Sequence, residues 1–346
     1  MRRQLNTLYV TTEGAWLRKD GANIVMDVDG ETRARLPVHM LDGLVCFGRV
    51  LVSTPLLGFC AEQGITVSFL TSYGRFQARV EGPVSGNVLL RREQYRRTDD
   101  PASCALIVQN ILVGKLHNQR AVLGRGLRDH ADKLSDAANA ALQHAHQRLD
   151  RIIKKVQAEG DVDVLRGLEG EAAQCYFGVF DHLIRSSDGA MRFRSRSRRP
   201  PMDAVNALLS FLYTLLTHDC RSALESVGLD PAVGFLHRDR PGRPSLALDL
   251  LEEFRPMMAD RLALSMINLK QLTARDFQTM ENGAVQLREE SRKKVLTAYQ
   301  ERKREDLMHA FLGEKAPIAL LPFLQSQLMS RHLRGDLDGY PPFLWK

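Results

Sequence analysis

The stretch TLYVTTEGAWLRKDGANIVMDVDGETRARLP, residues 7–37, sets the fold of the amino-terminal part of this chain. Its apolar runs are short: Leu8-Tyr9-Val10, Ala15-Trp16-Leu17, Ile24-Val25-Met26 and Ala34-Arg35-Leu36-Pro37. Glu13-Gly14, Asp20-Gly21 and Asp29-Gly30 separate them, each a plausible tight turn. Runs this brief, broken by turn residues, predict a meander of β-hairpins. Further on, Ser53-Thr54-Pro55 predicts a helix start with a capping hydroxyl and Pro in the first turn. Gly64 closes that helix, and Ile65 to Leu70 resumes as a strand. These elements make residues 1–80 a β-rich domain. The segment from Glu81 to Val88 holds two glycines and a proline with little periodicity, and we place a linker over 81–92.

Beyond Arg91 the period changes. Ala105, Ile107, Val108, Ile111, Leu112 and Leu116 recur at helical intervals. From Asp132 to Gln157, Leu134, Ala138, Leu142, Leu149, Ile152 and Val156 form one apolar side of an otherwise polar segment. Further helices are predicted over 162–176, 202–227, 245–267 and 287–312. The expected fold class is therefore α+β: a small β-sheet, sandwich-like domain followed by a larger all-α domain over 93–346.

Composition bounds the function. With 346 residues, 44% of them hydrophobic, the chain is large and apolar enough for two cores. Its 48 Lys and Arg against 41 Asp and Glu leave a net charge of +7. That excess favours a polyanionic partner, nucleic acid first, with a merely basic solvated surface as the alternative. Five cysteines without a Cys-x-x-Cys pair indicate neither a disulfide framework nor a thiolate zinc site, and they fit a reducing cytoplasm. The amino terminus lacks the apolar core of a secretory signal. The longest apolar run, Leu208 to Leu216, is far shorter than the ~20 residues of a bilayer span.

Three stretches carry chemistry. Glu169 lies in Gly167-Leu168-Glu169-Gly170-Glu171-Ala172-Ala173. Glycines inside a helix cost about 1 kcal/mol each relative to alanine, so two beside a carboxylate suggest close approach of a backbone or a ligand. Alone, the motif reads first as a small-residue helix contact with Glu169 in solvent. His237 lies in a Pro- and Gly-rich loop before a helix capped by Ser245. On that helix Asp249, Glu252 and Glu253 fall at i, i+3 and i+4, close to the apolar boundary made by its leucines. Asp249, at that boundary, needs a cation or several hydrogen bonds, and a salt bridge to an arginine such as Arg255 or Arg261 is the alternative to a metal. Taken together, Glu169, His237 and Asp249 offer carboxylate and imidazole donors without thiolate. That set suits Mg²⁺ or Mn²⁺, and the histidine favours Mn²⁺. Such an ion would serve phosphodiester chemistry.

The third stretch is basic. Arg192, Arg194, Arg196, Arg198 and Arg199 crowd the segment before Pro200-Pro201, as backbone-phosphate contacts or as a solvated loop. Lys293, Lys294, Arg302, Lys303 and Arg304 read as a solvated helix face. His237-Arg238-Asp239 spells a kinase catalytic tripeptide, but no Gly-rich nucleotide loop or Asp-Phe-Gly accompanies it. The closing Tyr340-Pro341-Pro342-Phe343-Leu344-Trp345-Lys346 reads as an exposed aromatic cluster suited to docking.

Four motifs in register, Leu168-Glu169-Gly170, Pro200 to Phe211, Val227 to His237 and Arg243 to Pro256, resemble those of the CRISPR-associated endonuclease and integrase family Cas1. The resemblance spans essentially the whole chain. It implies a β domain joined to a helical catalytic domain, a homodimer, and metal-dependent insertion of short double-stranded DNA into a CRISPR array with the partner protein Cas2. By motif, Glu169, His237 and Asp249 would be ligands for Mg²⁺ or Mn²⁺. Glu252 takes a further acidic position that is often Asp in relatives. The implied reaction is attack of a DNA 3′-hydroxyl on a phosphodiester, with shape and phosphate contacts dominating recognition. A plain metal-dependent DNA or RNA nuclease, and a non-catalytic DNA-binding subunit, are the alternatives.

Overall fold

The computed structural model describes residues 7–41, 43–72, 76–80, 82, 88–129, 134–186, 188–197 and 199–345. The chain forms two compact units, Met1–Gly86 and Asn87–Lys346. Half of the span expected as linker falls outside the described residues, and a helix already begins at Val88.

The first unit contains β1 (Thr7–Val10), β2 (Trp16–Asp20), β3 (Asn23–Val28), β4 (Glu31–Pro37), β5 (Gly43–Phe47), β6 (Leu51–Val52), α1 (Thr54–Glu62), β7 (Thr66–Leu70) and β8 (Phe76–Val80). They build two four-stranded sheets, ordered β1-β5-β7-β8 and β4-β3-β2-β6. The expected meander is present in β2-β3-β4, where Asp29 and Gly30 both turn with positive φ, 52° and 81°. It fails for β1, β5 and β7, which pair in parallel. Parallel neighbours need a crossover, and α1 lies between β5 and β7 in the chain to supply one. Val10, Leu17, Ile24, Leu44, Leu56 and Val67 are among the buried residues of this unit's core.

The second unit is helical: α2 (Val88–Asp99), α3 (Pro101–Asp129), α4 (Asp136–Ala158), α5 (Val162–Gly178), α6 (Ala204–Ser226), α7 (Ser245–Phe254), α8 (Arg261–Asn268), α9 (Glu289–Arg304) and α10 (Leu321–Leu333). The all-α expectation needs one correction, because two short hairpins interrupt the helices. They pair β9 (Phe277–Thr279) with β10 (Val285–Leu287), and β11 (Asp306–His309) with β12 (Glu314–Pro317). The helix expected to run to residue 312 therefore stops at Arg304, and Gly313 closes the second hairpin with φ 67°. Between α7 and α8, Arg255–Asp260 forms a π-helical turn. Pro256 within it has no backbone N–H to give the α-helical ladder, which favours such a widening. The 29-residue α3 packs on α4, α5, α7 and the π-helical turn, so side chains from several elements meet along it. Among the described residues, no helix is long and apolar enough to cross a membrane.

The terminal aromatics are not exposed. Tyr340, Phe343 and Trp345 are buried in this unit. Phe343 stacks on Phe254 of α7 with ring centroids 5.2 Å apart, and Arg125 of α3 covers the Trp345 ring at 4.1 Å.

Candidate active site

Asp249 organises the first half of the site. It lies on the second turn of α7 and is fully buried. Its Oδ2 accepts the backbone N–H groups of Phe235 and Leu236, at 2.6 and 3.0 Å. Its Oδ1 accepts the His237 backbone N–H at 2.9 Å and lies 2.6 Å from His237 Nδ1. An ionised carboxylate can only accept, so Nδ1 carries the proton and Nε2 of the neutral ring keeps a lone pair to give. The preceding Gly234 is required by space, since a Cβ there would lie 2.8 Å from Ser245 and 2.9 Å from Asp249 Oδ2. From outside the loop, Arg166 of α5 donates to the carbonyls of Leu236 and Phe235 at 2.7 and 3.3 Å. Asp163 in turn pairs with both Arg166 and Arg238. The loop is thus fixed from both sides. Ser245 does not cap α7 as its position predicts; its hydroxyl donates to the Arg238 carbonyl at 3.2 Å.

The second half centres on a lysine. Lys115 of α3 has a side chain 0% exposed, and its ammonium pairs with Glu169 of α5 and, at 2.9 Å, with Glu252 Oε2 of α7. The Glu169 side chain is 28% exposed and that of Glu252 6%. Arg255 closes on the other Glu252 oxygen at 3.0 Å. Burial works to raise the Glu252 carboxyl, and the charges of Arg255 and Lys115 more than reverse this, holding it at about 2. His237 lies within electrostatic range of the same carboxyl. The two glycines beside Glu169 face open space: a Cβ at Gly167 or Gly170 would meet nothing within 4 Å. Among the described residues no backbone packs there, unlike one of the two close approaches that the motif suggests. Glu171 points elsewhere and pairs with Arg148 at 3.1 Å.

The three acids at i, i+3 and i+4 therefore serve three different purposes. Asp249 holds the loop, Glu252 faces Lys115, and Glu253 anchors the chain's end. Glu253 accepts from Tyr340 Oη, from the Phe343 N–H at 2.6 Å and from Gln325 Nε2 at 3.1 Å. Burial pushes its carboxyl up to about 8 against those hydrogen bonds. Asn118, one turn beyond Lys115 on α3, bridges the Glu253 and Phe343 carbonyls. Behind Arg255, the buried Asp260 accepts from the Tyr176 hydroxyl at 3.1 Å and from that of Tyr213.

The basic segment divides. Arg192 pairs with Asp181 at 2.9 Å. Arg196 donates to Asn206 Oδ1 at 2.6 Å and lies 5.1 Å over the Tyr213 ring, so it serves the fold. Arg194 and Arg199 are exposed, and Arg198 lies outside the described residues. The later stripe also divides, since Lys303 is buried and pairs with Asp219 at 2.9 Å.

Sequence reasoning missed Lys115, and the arginine it offered as an alternative partner for Asp249, Arg255, pairs instead with Glu252. The signal for Lys115 was present: it continues the apolar stripe of Val108, Ile111 and Leu112, where a buried charge demands anionic partners.

The donor set fits a hard divalent cation. Glu169 and Glu252 carboxylates flank one point, His237 has Nε2 to give, and Glu252 Oε2 is buried with an ion pair but no hydrogen bond. As placed, no three acidic, imidazole or thiol groups among the described residues come within coordinating reach of one ion; the Lys115 ammonium stands between two of them. Asp249 has its oxygens committed to four donors, which leaves Glu252 the better placed α7 acid for such an ion.

Residues 8–301 match the family model for CRISPR associated protein Cas1. A similar curated protein is the CRISPR-associated endonuclease Cas1 2 of Rhodospirillum rubrum, 60% identical over 347 residues and covering 100% of both chains. Another is the CRISPR-associated endonuclease Cas1 1 of Chlorobaculum tepidum, 52% identical over 346 residues and again covering 100% of both. Among solved structures, a casposase bound to integration product matches 97% of this chain and 92% of its own, with a TM-score of 0.81 and 22% identity. A chain of a Cas6-RT-Cas1–Cas2 complex matches all of this chain over 36% of its own length, with a TM-score of 0.83 and 24% identity. At these identities the structural likeness is one of fold.

Proposed function

The chain belongs to the CRISPR associated protein Cas1 family, and from that premise we propose that it is a divalent-metal-dependent DNA endonuclease and integrase that inserts short DNA pieces into a CRISPR array. The observation that carries this reading is the convergence of Glu169 and Glu252 on one cationic point, beside a His237 whose ring is fixed by Asp249. The curated relatives named endonucleases support phosphodiester chemistry. The casposase of the same fold, seen with an integration product, supports strand transfer over simple hydrolysis.

Glu169, Glu252 and His237 Nε2 would hold Mg²⁺ or Mn²⁺, and the ion, when bound, polarises the phosphodiester and stabilises the leaving oxygen. The chain's own residues prepare that event. Arg255 keeps Glu252 ionised and fixed on one side. Asp249 sets the imidazole tautomer and ring plane, so that Nε2 is presented without a proton. Arg166 and Gly234 hold the loop at the height where this contact forms. In the transfer step, the 3′-hydroxyl oxygen of the incoming strand bonds to phosphorus, the bridging 3′ oxygen of the target leaves, and the hydroxyl proton departs to solvent or base. In the nuclease alternative, water takes the hydroxyl's place. The exposed Arg194 and Arg199 would contact backbone phosphates. Assembly with Cas2 belongs to the same proposal, supported by the like-folded chain in the Cas1–Cas2 complex, and so does a homodimer, which the family resemblance implies.

A gel assay with labelled branched DNA, in Mn²⁺, Mg²⁺ or chelator, tests this beside His237→Ala. Metal-dependent joining that the variant loses is the expected result. Cleavage without joining would replace it with the nuclease reading, and binding alone would leave a DNA-binding subunit.

A further inference from the structure

Lys115 presents a problem of charge. Its ammonium is fully buried and touches both carboxylates that the proposed function gives to the metal. Glu252 does not need it for neutrality, since Arg255 already pairs with the other oxygen at 3.0 Å. The contact to Glu252 is an ion pair, with Oε2 2.9 Å from Nζ. The ammonium thus bridges the carboxylate pair, hydrogen-bonded to Glu169 and ion-paired with Glu252.

A site made of Glu169, Glu252, Lys115 and Arg255 has two negative and two positive groups. Adding a divalent ion while Lys115 stays in contact would leave two uncompensated positive charges where water is largely excluded, and like charges repel strongly in such surroundings. The ammonium and the ion are rivals for the same oxygens.

We propose that Lys115 is a placeholder cation: it holds Glu169 and Glu252 together before an ion binds, and metal loading requires its ammonium to leave that pair. This rests on the proposed metal-dependent reading of the site. The consequence is that Lys115 lowers the affinity for metal while keeping the two ligands preorganised. A lysine that merely supported the ligands would do the opposite, and its removal would weaken binding.

Direct Mn²⁺ binding to the full chain decides between them. Free Mn²⁺ is counted by electron paramagnetic resonance in titrations of the wild type, Lys115→Met, Lys115→Gln and Glu252→Gln. The expected result is at least tenfold tighter binding in Lys115→Met. The same variant should melt below the wild type in chelator and gain more from saturating Mn²⁺. Binding equal to or weaker than the wild type, with Glu252→Gln still losing the ion, overturns the placeholder role and leaves the metal site standing. Undiminished binding in Glu252→Gln removes the site and the placeholder together. Should the methionine variant fail to fold, Lys115→Gln carries the same comparison, because it too lacks the charge.

Discussion

Asp249 and His237 are joined twice: Oδ1 of the carboxylate lies 2.6 Å from the ring Nδ1 and 2.9 Å from the backbone nitrogen of the same histidine. One oxygen thus fixes both where the residue sits and how its ring is turned. An aspartate used this way acts through the histidine. Orienting partners of metal-ligating histidines typically cost 10–100-fold when removed.

Asp249→Asn and His237→Ala should therefore fail differently. The asparagine keeps the shape but aims an N–H₂ group at donors, leaving buried N–H groups unpaired at about 1–3 kcal/mol each. We expect Asp249→Asn to lower both thermal stability and strand transfer. His237→Ala should abolish transfer with little change in melting temperature. Matched denaturation and activity measurements check this, and an Asp249→Asn protein as stable as the wild type would refute the loop-anchoring role.

How far the site was legible follows from these residues. Asp249 and Glu252 both stood out as acids at an apolar boundary, but sequence spacing assigns no direction to a side chain one turn from its neighbour. The loop that saturates Asp249 and the lysine that faces Glu252 arrive from 12 residues and more than a hundred residues away. The fold was more legible, since Asp-Gly turns and a change of hydrophobic period are local signals. Parallel pairing of β1, β5 and β7 was not, because it joins strands far apart in the chain.

The arginine segment makes a separable prediction. Arg194 and Arg199 are exposed, whereas Arg196 is tied to Asn206 and stacked on Tyr213. Alanine at Arg194 or Arg199 should reduce the slope of log affinity against log salt by about 0.9 for each DNA phosphate that is no longer neutralised. Arg196→Ala should instead lower the melting temperature. Salt titrations of DNA binding, read beside calorimetry, distinguish them; an unchanged slope for both exposed variants would remove these residues from the DNA surface.

The carboxy-terminal aromatics should behave as core. Phe343 is buried against Phe254, and its N–H is held by Glu253 at 2.6 Å. Phe343→Ala is expected to cost about 3–5 kcal/mol, the usual effect of emptying a buried aromatic site. Because Glu253 adjoins Glu252, the substitution should also reduce strand transfer. Chemical denaturation measures the first effect, and a value within error of the wild type would return the tail to a docking role.

Asp276 gives the pH prediction. Its carboxylate accepts from Ser291 at 2.7 Å, Lys294 at 2.8 Å and the Thr273 N–H at 2.8 Å. Burial works against the charge, and these hydrogen bonds more than offset it, holding the carboxyl at about 2 against 3.8 when unperturbed. The folded state therefore favours the ionised form. Its contribution, about 2 kcal/mol from the linkage of the two values, is complete well above 3.8 and disappears as pH falls through about 2. The sign follows because the unfolded chain binds the proton first. Unfolding free energies of the wild type and Asp276→Asn, compared between pH 6 and pH 3, should converge by roughly half of their neutral difference at the acid end. A difference that stays constant across that window would mean that Asp276 stabilises the β9–β10 region through shape alone.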